Sequence, residues 1–296
     1  MSETTTAQPG KNLRFKGMLI ALVGAALMSL DPVFIRFSGV DELETTFLFG
    51  LFTAISMAVV IQVTDKRGLF KVLIESGWPV IIAGILMLGS STGLVFAIKN
   101  TSVVNTFVIL SAIPAVAALF GWIFLRERVS KQTMFAIIGV IVGIVVVVSG
   151  STGGGASSLY GDLLALFAVA VLALMLTLLR KFPDVSRMGA VGFGGFLVAV
   201  VMFFFTEPSS FSTNTWLIMG VMGLLTAPFG RVLSMVATRY ATATEVSLTL
   251  MLETVLAPVW AYIFFTEVPG ANSLAGGAII LITITAYTLY LAKQED

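Results

Sequence analysis

The sequence predicts an all-α membrane protein of ten transmembrane helices, built as two five-helix repeats inserted in opposite orientations. Three observations carry that prediction. Of the 296 residues, 57% are hydrophobic and only 11% are charged. A soluble domain carries roughly 25% charged residues, so this chain is solvated by lipid. Ten apolar runs approach the length of about 20 residues that a helix needs to cross a bilayer. Finally, the run from Ala97 to Val129, AIKNTSVVNTFVILSAIPAVAALFGWIFLRERV, aligns without a gap on the run from Ala237 to Pro269, ATRYATATEVSLTLMLETVLAPVWAYIFFTEVP, at a constant offset of 140 residues. Leu110 meets Leu250, Ala117 meets Ala257, and Ile123, Phe124 and Glu127 meet Ile263, Phe264 and Glu267. Self-similarity on this scale marks a chain assembled from repeated units.

The elements follow in order. A polar tail, 1–16, precedes the first span at 17–38, which is too long for the ~7–15-residue core of a signal peptide and is read as a retained helix. The turn GVDELE (39–44) leads to spans at 44–63, 78–98, 103–125 and 132–149. A Gly/Ser-rich link, 150–158, divides the halves. Spans at 159–180, 188–206, 215–237, 243–265 and 272–292 follow, with TEPSSFSTN (206–214) between the second and third of them, and a short tail at 293–296. The repeats are therefore 17–149 and 159–292. Their first spans also match: Gly17, Leu19, Ala21, Leu22, Ala26, Leu30 and Arg36 have identical partners in 161–180.

Lys and Arg set the orientation. With the N-terminus in the cytoplasm, fourteen basic residues fall in cytoplasmic segments, Arg36 and Lys99 fall outside, and Arg231 lies within a span, which accounts for all 17. Both termini are then cytoplasmic. Five spans per half is an odd number, so the halves insert with opposite orientation. Inverted repeats place a binding site near the bilayer midplane between the halves and permit alternating access.

Composition also excludes. The chain has no Cys and no His. Disulfides, Ser-His hydrolysis and metal sites built on His or Cys are ruled out, and no catalytic residues, metal or cofactor are expected. A net charge of +1 gives no footprint for nucleic acid. The expected partners are a small-molecule substrate and membrane lipid; monomer and homodimer are both open. No ATP-binding signature is present, so transport would be secondary. A channel is the alternative to a carrier, and conductance far above carrier turnover would distinguish it.

The helix-end sequences FLRERVS (124–130) and FFTEVPG (264–270), the aromatic runs before them and the polar turns NTSVVNTF and YATATEVS resemble the EamA family of the drug/metabolite transporter superfamily. The resemblance covers about Gly17 to Leu291. It implies a ten-helix carrier in the cytoplasmic (inner) membrane that exports or exchanges small metabolites, often amino acids. It further implies a cavity lined by the first, third and fourth helices of each half, with the fifth helices at the periphery.

Charge at membrane depth is expensive, which makes Asp31, Arg231 and Glu253 candidates for substrate binding or coupling. Asp31 lies in Ser29-Leu30-Asp31-Pro32, which reads as a helix start with Asp at N-cap and Pro at N1; a local cap or an ion pair with Arg36 is the plainer alternative. Glu253 falls near the midplane and can carry a proton or meet a cationic group; an ion pair with Arg231 is its structural alternative. Arg231 offers a fork for carboxylate, or snorkels to the interface. The repeat partners of Asp31 and Glu253 are Met175 and Ile113, so the acids are specific to one half. Ser90, Ser91 and Thr92 form a small polar patch that either lines the cavity or bonds across helices. Trp122 and its partner Tyr262 either line the cavity or belong to an interfacial belt. Pro114 and Pro258 are expected to kink the fourth and ninth helices and to serve as hinges. Glu245 and its partner Asn105, at helix starts, suit the helix dipole better than a ligand. Gly139, Gly143, Gly276 and Gly277 suggest close packing of the fifth helices. Three charges of both signs favour an amino-acid-like zwitterion over a neutral sugar, with an organic cation or drug as the competitor.

Overall fold

The computed structural model describes residues 11–126, 130–152, 157–237, 240, 246, 249 and 251–295. Every regular element among them is helical. The first span is a pair, α1 (Lys11–Met28) and α2 (Asp31–Phe37). α3 (Glu42–Thr64) and α4 (Leu69–Asn100) follow. The fourth span is again a pair, α5 (Val103–Leu110) and α6 (Ile113–Leu125), and α7 (Lys131–Ser149) completes the first half. The second half begins with α8 (Leu159–Lys181) and α9 (Arg187–Phe203). Then come α10 (Thr213–Val221) and α11 (Ala227–Ala237), joined by a π-helical turn at Met222–Thr226. α12 (Leu252–Phe265) and α13 (Ala271–Glu295) close the chain. Eight stretches are long and apolar enough to cross a membrane, and Arg187–Phe203 and Leu252–Phe265 are shorter apolar helices. Together they are the ten expected segments. Both expected tails are partly helical: α1 already starts at Lys11, and α13 continues through Glu295.

Local chemistry sets the helix starts. Asp41 caps α3, accepting from the Glu44 N–H at 2.9 Å while the Glu44 carboxylate accepts from the Asp41 N–H at 3.4 Å, a capping box. Ser102, Ser130, Ser158, Ser186 and Ser212 cap α5, α7, α8, α9 and α10, each accepting from the N–H three residues on. A serine at the mouth of an apolar run satisfies a helix-end donor that lipid cannot. α4 bends at Gly77, where φ is 60° and ψ is −155°, a conformation only glycine adopts without strain. The expected third span begins at the next residue. In the turn before α4, Arg67 donates to Asp65 from its backbone, Nε and Nη2, and these bonds hold the Asp65 carboxyl well below the usual carboxylate range.

The duplication is visible in the backbone. Among the described residues, Arg126 (φ 55°) and Thr266 (φ 51°) are the non-glycine residues with positive φ. They are 140 residues apart and end α6 and α12 with the same left-handed turn. The breaks inside the fourth and ninth spans correspond too. Ser111 closes α5, and its repeat partner Met251 immediately precedes α12.

Packing between the halves follows the same symmetry. α1 lies on α11, α3 on α9, α4 on α8, α5 on α12 and α7 on α13. In repeat positions this is first on third, second on second, third on first, fourth on fourth and fifth on fifth, the pattern a pseudo-two-fold axis generates. Small residues allow the contacts. A Cβ on Gly24 would stand 2.9 Å from the Gly230 carbonyl oxygen, and one on Gly230 would stand 3.0 Å from that of Gly24. The repeat mate of this contact is Ser90, whose hydroxyl donates to the Ala168 carbonyl at 3.2 Å. Gly143 and Gly276 bring α7 and α13 together in the same way: a Cβ on Gly276 would lie 2.5 Å from the Gly143 carbonyl oxygen.

Candidate functional site

A cavity of about 400 Å³ opens between the halves. The first, third and fourth spans of each half build its wall, with Phe49 and Val191 added from the second spans and nothing from the fifth among the described residues. Asp31, Arg231 and Glu253 all line it, although they come from α2, α11 and α12. Their repeat partners Met175, Ser91 and Ile113 line it as well. The pseudo-two-fold therefore runs through the cavity, and all three charges fall on one side of it. The other side, with Met175, Ile113, Leu172 and Leu176, is apolar apart from the hydroxyls of Ser90, Ser91 and Ser111.

Breaks in the helices position the acids. Pro32 has no N–H to bond the Met28 carbonyl, and the backbone tightens there: Leu30 N–H bonds the Leu27 oxygen and Val33 N–H the Leu30 oxygen. The expected Asp N-cap is corrected. Leu30 holds the N-cap position without a side-chain bond, and Asp31 is the first helical residue with Pro32 second. Asp31 Oδ1 is buried and has no hydrogen-bond partner among the described residues. The expected alternative of an Asp31–Arg36 pair is also corrected, because Arg36 binds Glu267 instead. Glu253 lies in the first turn of α12, just past the Met251 break, where Thr254 N–H bonds the Met251 oxygen. A tightened mid-helix turn of this kind often marks a moving part. Arg231 follows the Gly24/Gly230 contact, and its Nη1 is buried without a partner among the described residues. No ion pair joins Arg231 to Asp31 or Glu253 among the described residues, so the pair offered as the structural alternative for Glu253 is not formed. A buried charged atom without a partner is costly, and here two of them border one cavity.

The remaining candidates separate. Ser90 and Ser91 line the cavity; Thr92 does not, and its hydroxyl is buried without a partner. Trp122 and Tyr262 are 48% and 59% exposed and do not line it. Their neighbours Gly121 and Ala261 are the buried positions: the small residues face the bundle and turn the aromatic rings outward to lipid. Pro114 follows the break at Ser111 and Ala112, whereas Pro258 lies inside α12 with its helix unbroken. Glu127 and Glu245 lie outside the described residues. No group of three or more metal-ligating side chains occurs among the described residues.

Two further polar clusters escaped the reading of the sequence, and both lie at the Glu267 end of the bundle. In the first, Arg36 Nη1 donates to Glu267 Oε2 at 2.7 Å, Nη2 to the Thr101 carbonyl at 2.8 Å and Nε to the Ile98 carbonyl at 3.2 Å. Beside it lies a second cavity, about 590 Å³, which Lys99, Asn100 and Thr266 also line. In the second cluster, Asp162 is fully buried and accepts from Thr101 Oγ1 at 2.7 Å, Asn105 Nδ2 at 3.0 Å and Ser151 Oγ at 2.5 Å. Ser273 Oγ donates to Asn105 Oδ1. Asn105, expected only to suit a helix start, is the hub that ties the first half to the second. The one available signal was the pairing of polar residues at four separate span ends.

Comparison with known proteins bears on the whole chain. No curated protein matches it. A solved crystal structure of a protein is 20% identical, with a TM-score of 0.62 over 95% of this chain and 99% of that one, which shows a shared fold. Residues 15–149 and 159–289 match the model of the EamA-like transporter family. With both halves matched and ten helical segments paired by an inverted repeat, this chain belongs to the EamA-like transporter family.

Proposed function

We propose that the protein is a secondary carrier that moves a neutral amino acid, or a closely related zwitterion with an apolar side chain, by alternating access, in efflux or exchange. The observation that supports this reading is the two-sided cavity. Asp31, Arg231 and Glu253 stand on one side, and residues such as Met175, Leu172 and Ile113 stand opposite. A zwitterion with an apolar body matches both sides. Its carboxylate would take the unpartnered Arg231 Nη1, its ammonium an acid, and its side chain the apolar wall. A bidentate or charge-assisted bond made inside such a cavity is stronger than one made in water. The test is counterflow in proteoliposomes with L-phenylalanine against 2-phenylethylamine. Phenylalanine is expected to exchange at least tenfold faster, and Arg231→Gln to remove that preference. Equal exchange of both, unchanged in Arg231→Gln, would put an organic cation in its place, the reading favoured by two acids against one arginine.

The carrier would lie in the cytoplasmic membrane, with repeats 17–149 and 159–292 and with both termini inside; the basic-residue asymmetry supports that orientation. The breaks at Leu30, Ser111 and Met251 would let the half-helices rock about the cavity, with Pro114, beside the second of them, as a hinge position. Cysteines introduced at Ser157 and Ser186 of the cysteine-free chain are expected to react with impermeant maleimide from opposite sides of the membrane. Labelling of both from one side would overturn the orientation.

A further inference from the structure

The cavity at the Glu267 end contains a second set of charged groups and shares a wall with the central one. Ile35 and Ile98 line the central cavity, while their chain neighbours Arg36 and Lys99 line the other. The Arg36–Glu267 bond joins α2 to the end of α12 across this wall, and Arg36 also holds the Ile98 carbonyl. Two groups that border the end cavity keep bonding capacity among the described residues. Glu267 is 7% exposed, and its Oε1 is buried with no partner while Oε2 takes Arg36. Lys99 Nζ donates to the Ser38 hydroxyl at 2.9 Å and the Val40 carbonyl at 2.8 Å. An ammonium group has three hydrogens, which leaves one for a ligand. A buried carboxylate oxygen without a donor loses its full hydration with nothing in return, so Glu267 favours any N–H donor that reaches it.

We propose that this end cavity is a separate binding site for the zwitterion, taking its ammonium on Glu267 and its carboxylate on Lys99. Ligand ammonium on Oε1 and Arg36 on Oε2 then share the charge of one carboxylate. Occupancy weakens the Arg36–Glu267 bond and frees the wall between the two cavities, so the ligand itself loosens the barrier to the central site. The inference rests on the zwitterion reading of the central cavity but concerns different residues.

The experiment is equilibrium binding of L-phenylalanine to the full chain in lipid nanodiscs, with uptake kinetics measured from each face of oriented proteoliposomes. Two molecules per chain are expected in the unmodified protein. Arg231→Gln and Lys99→Gln are each expected to lose one, and Lys99→Arg to retain both with thermal stability unchanged. Lys99→Gln should raise KM about tenfold for uptake from the Glu267 face and leave it unaltered from the other. One molecule per chain, indifferent to Lys99→Gln, would overturn the end site and leave the central reading standing. Loss of a molecule in Lys99→Gln but none in Arg231→Gln would support the end site and overturn the central assignment. An equal rise in KM at both faces would make Lys99 merely structural and overturn the proposal, and no binding at all would overturn both readings.

Discussion

Glu253→Gln is expected to reduce exchange at least a hundredfold while leaving expression and thermal stability close to those of the unmodified protein. The side chain forms no hydrogen bond or ion pair among the described residues, yet it lines the central cavity at the start of α12. Removing a carboxylate that bonds no described residue should cost little in folding. Removing one that faces ligand or proton during transport should cost an interaction with no substitute, since an intramembrane acid facing a cavity is retained for function. A hundredfold loss corresponds to about 2.8 kcal/mol, at about 1.4 kcal/mol per factor of ten. The control is the double change with Arg231→Gln. Restored exchange in the double variant would show that Glu253 serves only to balance the Arg231 charge. Persistent loss places both in the transport machinery, and Asp31→Asn then distinguishes which acid meets the ligand.

Asp162→Ala is expected to act on folding and hardly on transport kinetics. It strips the acceptor from Thr101, Asn105 and Ser151, three buried donors at the meeting point of the halves. Each orphaned buried group costs about 1–3 kcal/mol, partly relieved because Asn105 and Ser151 also bond each other at 3.0 Å. A net loss of roughly 3–5 kcal/mol would lower the unfolding midpoint by roughly 10 °C, readable by thermal unfolding in detergent. The surviving folded fraction should show an unchanged KM. Normal stability with abolished exchange would instead make the Asn105–Asp162 cluster part of the transport cycle.

Much of the architecture is legible before any coordinate because it rests on local or exactly repeated features. Span number follows from apolar length, since a lipid-facing helix must satisfy its own backbone. The inverted pairing follows from an odd number of spans in each copy. What stayed hidden depends on which face of a helix turns inward and on partners distant in the chain. From the sequence, Asp31, Arg231 and Glu253 are candidates for one zwitterion site without any stated geometry; α1 packing on α11 and α12 is what brings them to one cavity. Arg36 has a carboxylate only five residues before it, yet pairs with Glu267, 231 residues away. From the sequence, Trp122 and Tyr262 suit a cavity or an interfacial belt equally; the burial of their neighbours Gly121 and Ala261 shows which face of α6 and α12 turns inward, and it is not the aromatic one. Sequence alone therefore determined the membrane class, the count of spans, the duplication and the residues too costly to be accidental. Tertiary packing decided which of those residues meet, because side-chain direction and long-range pairing are fixed only when the two halves close against each other.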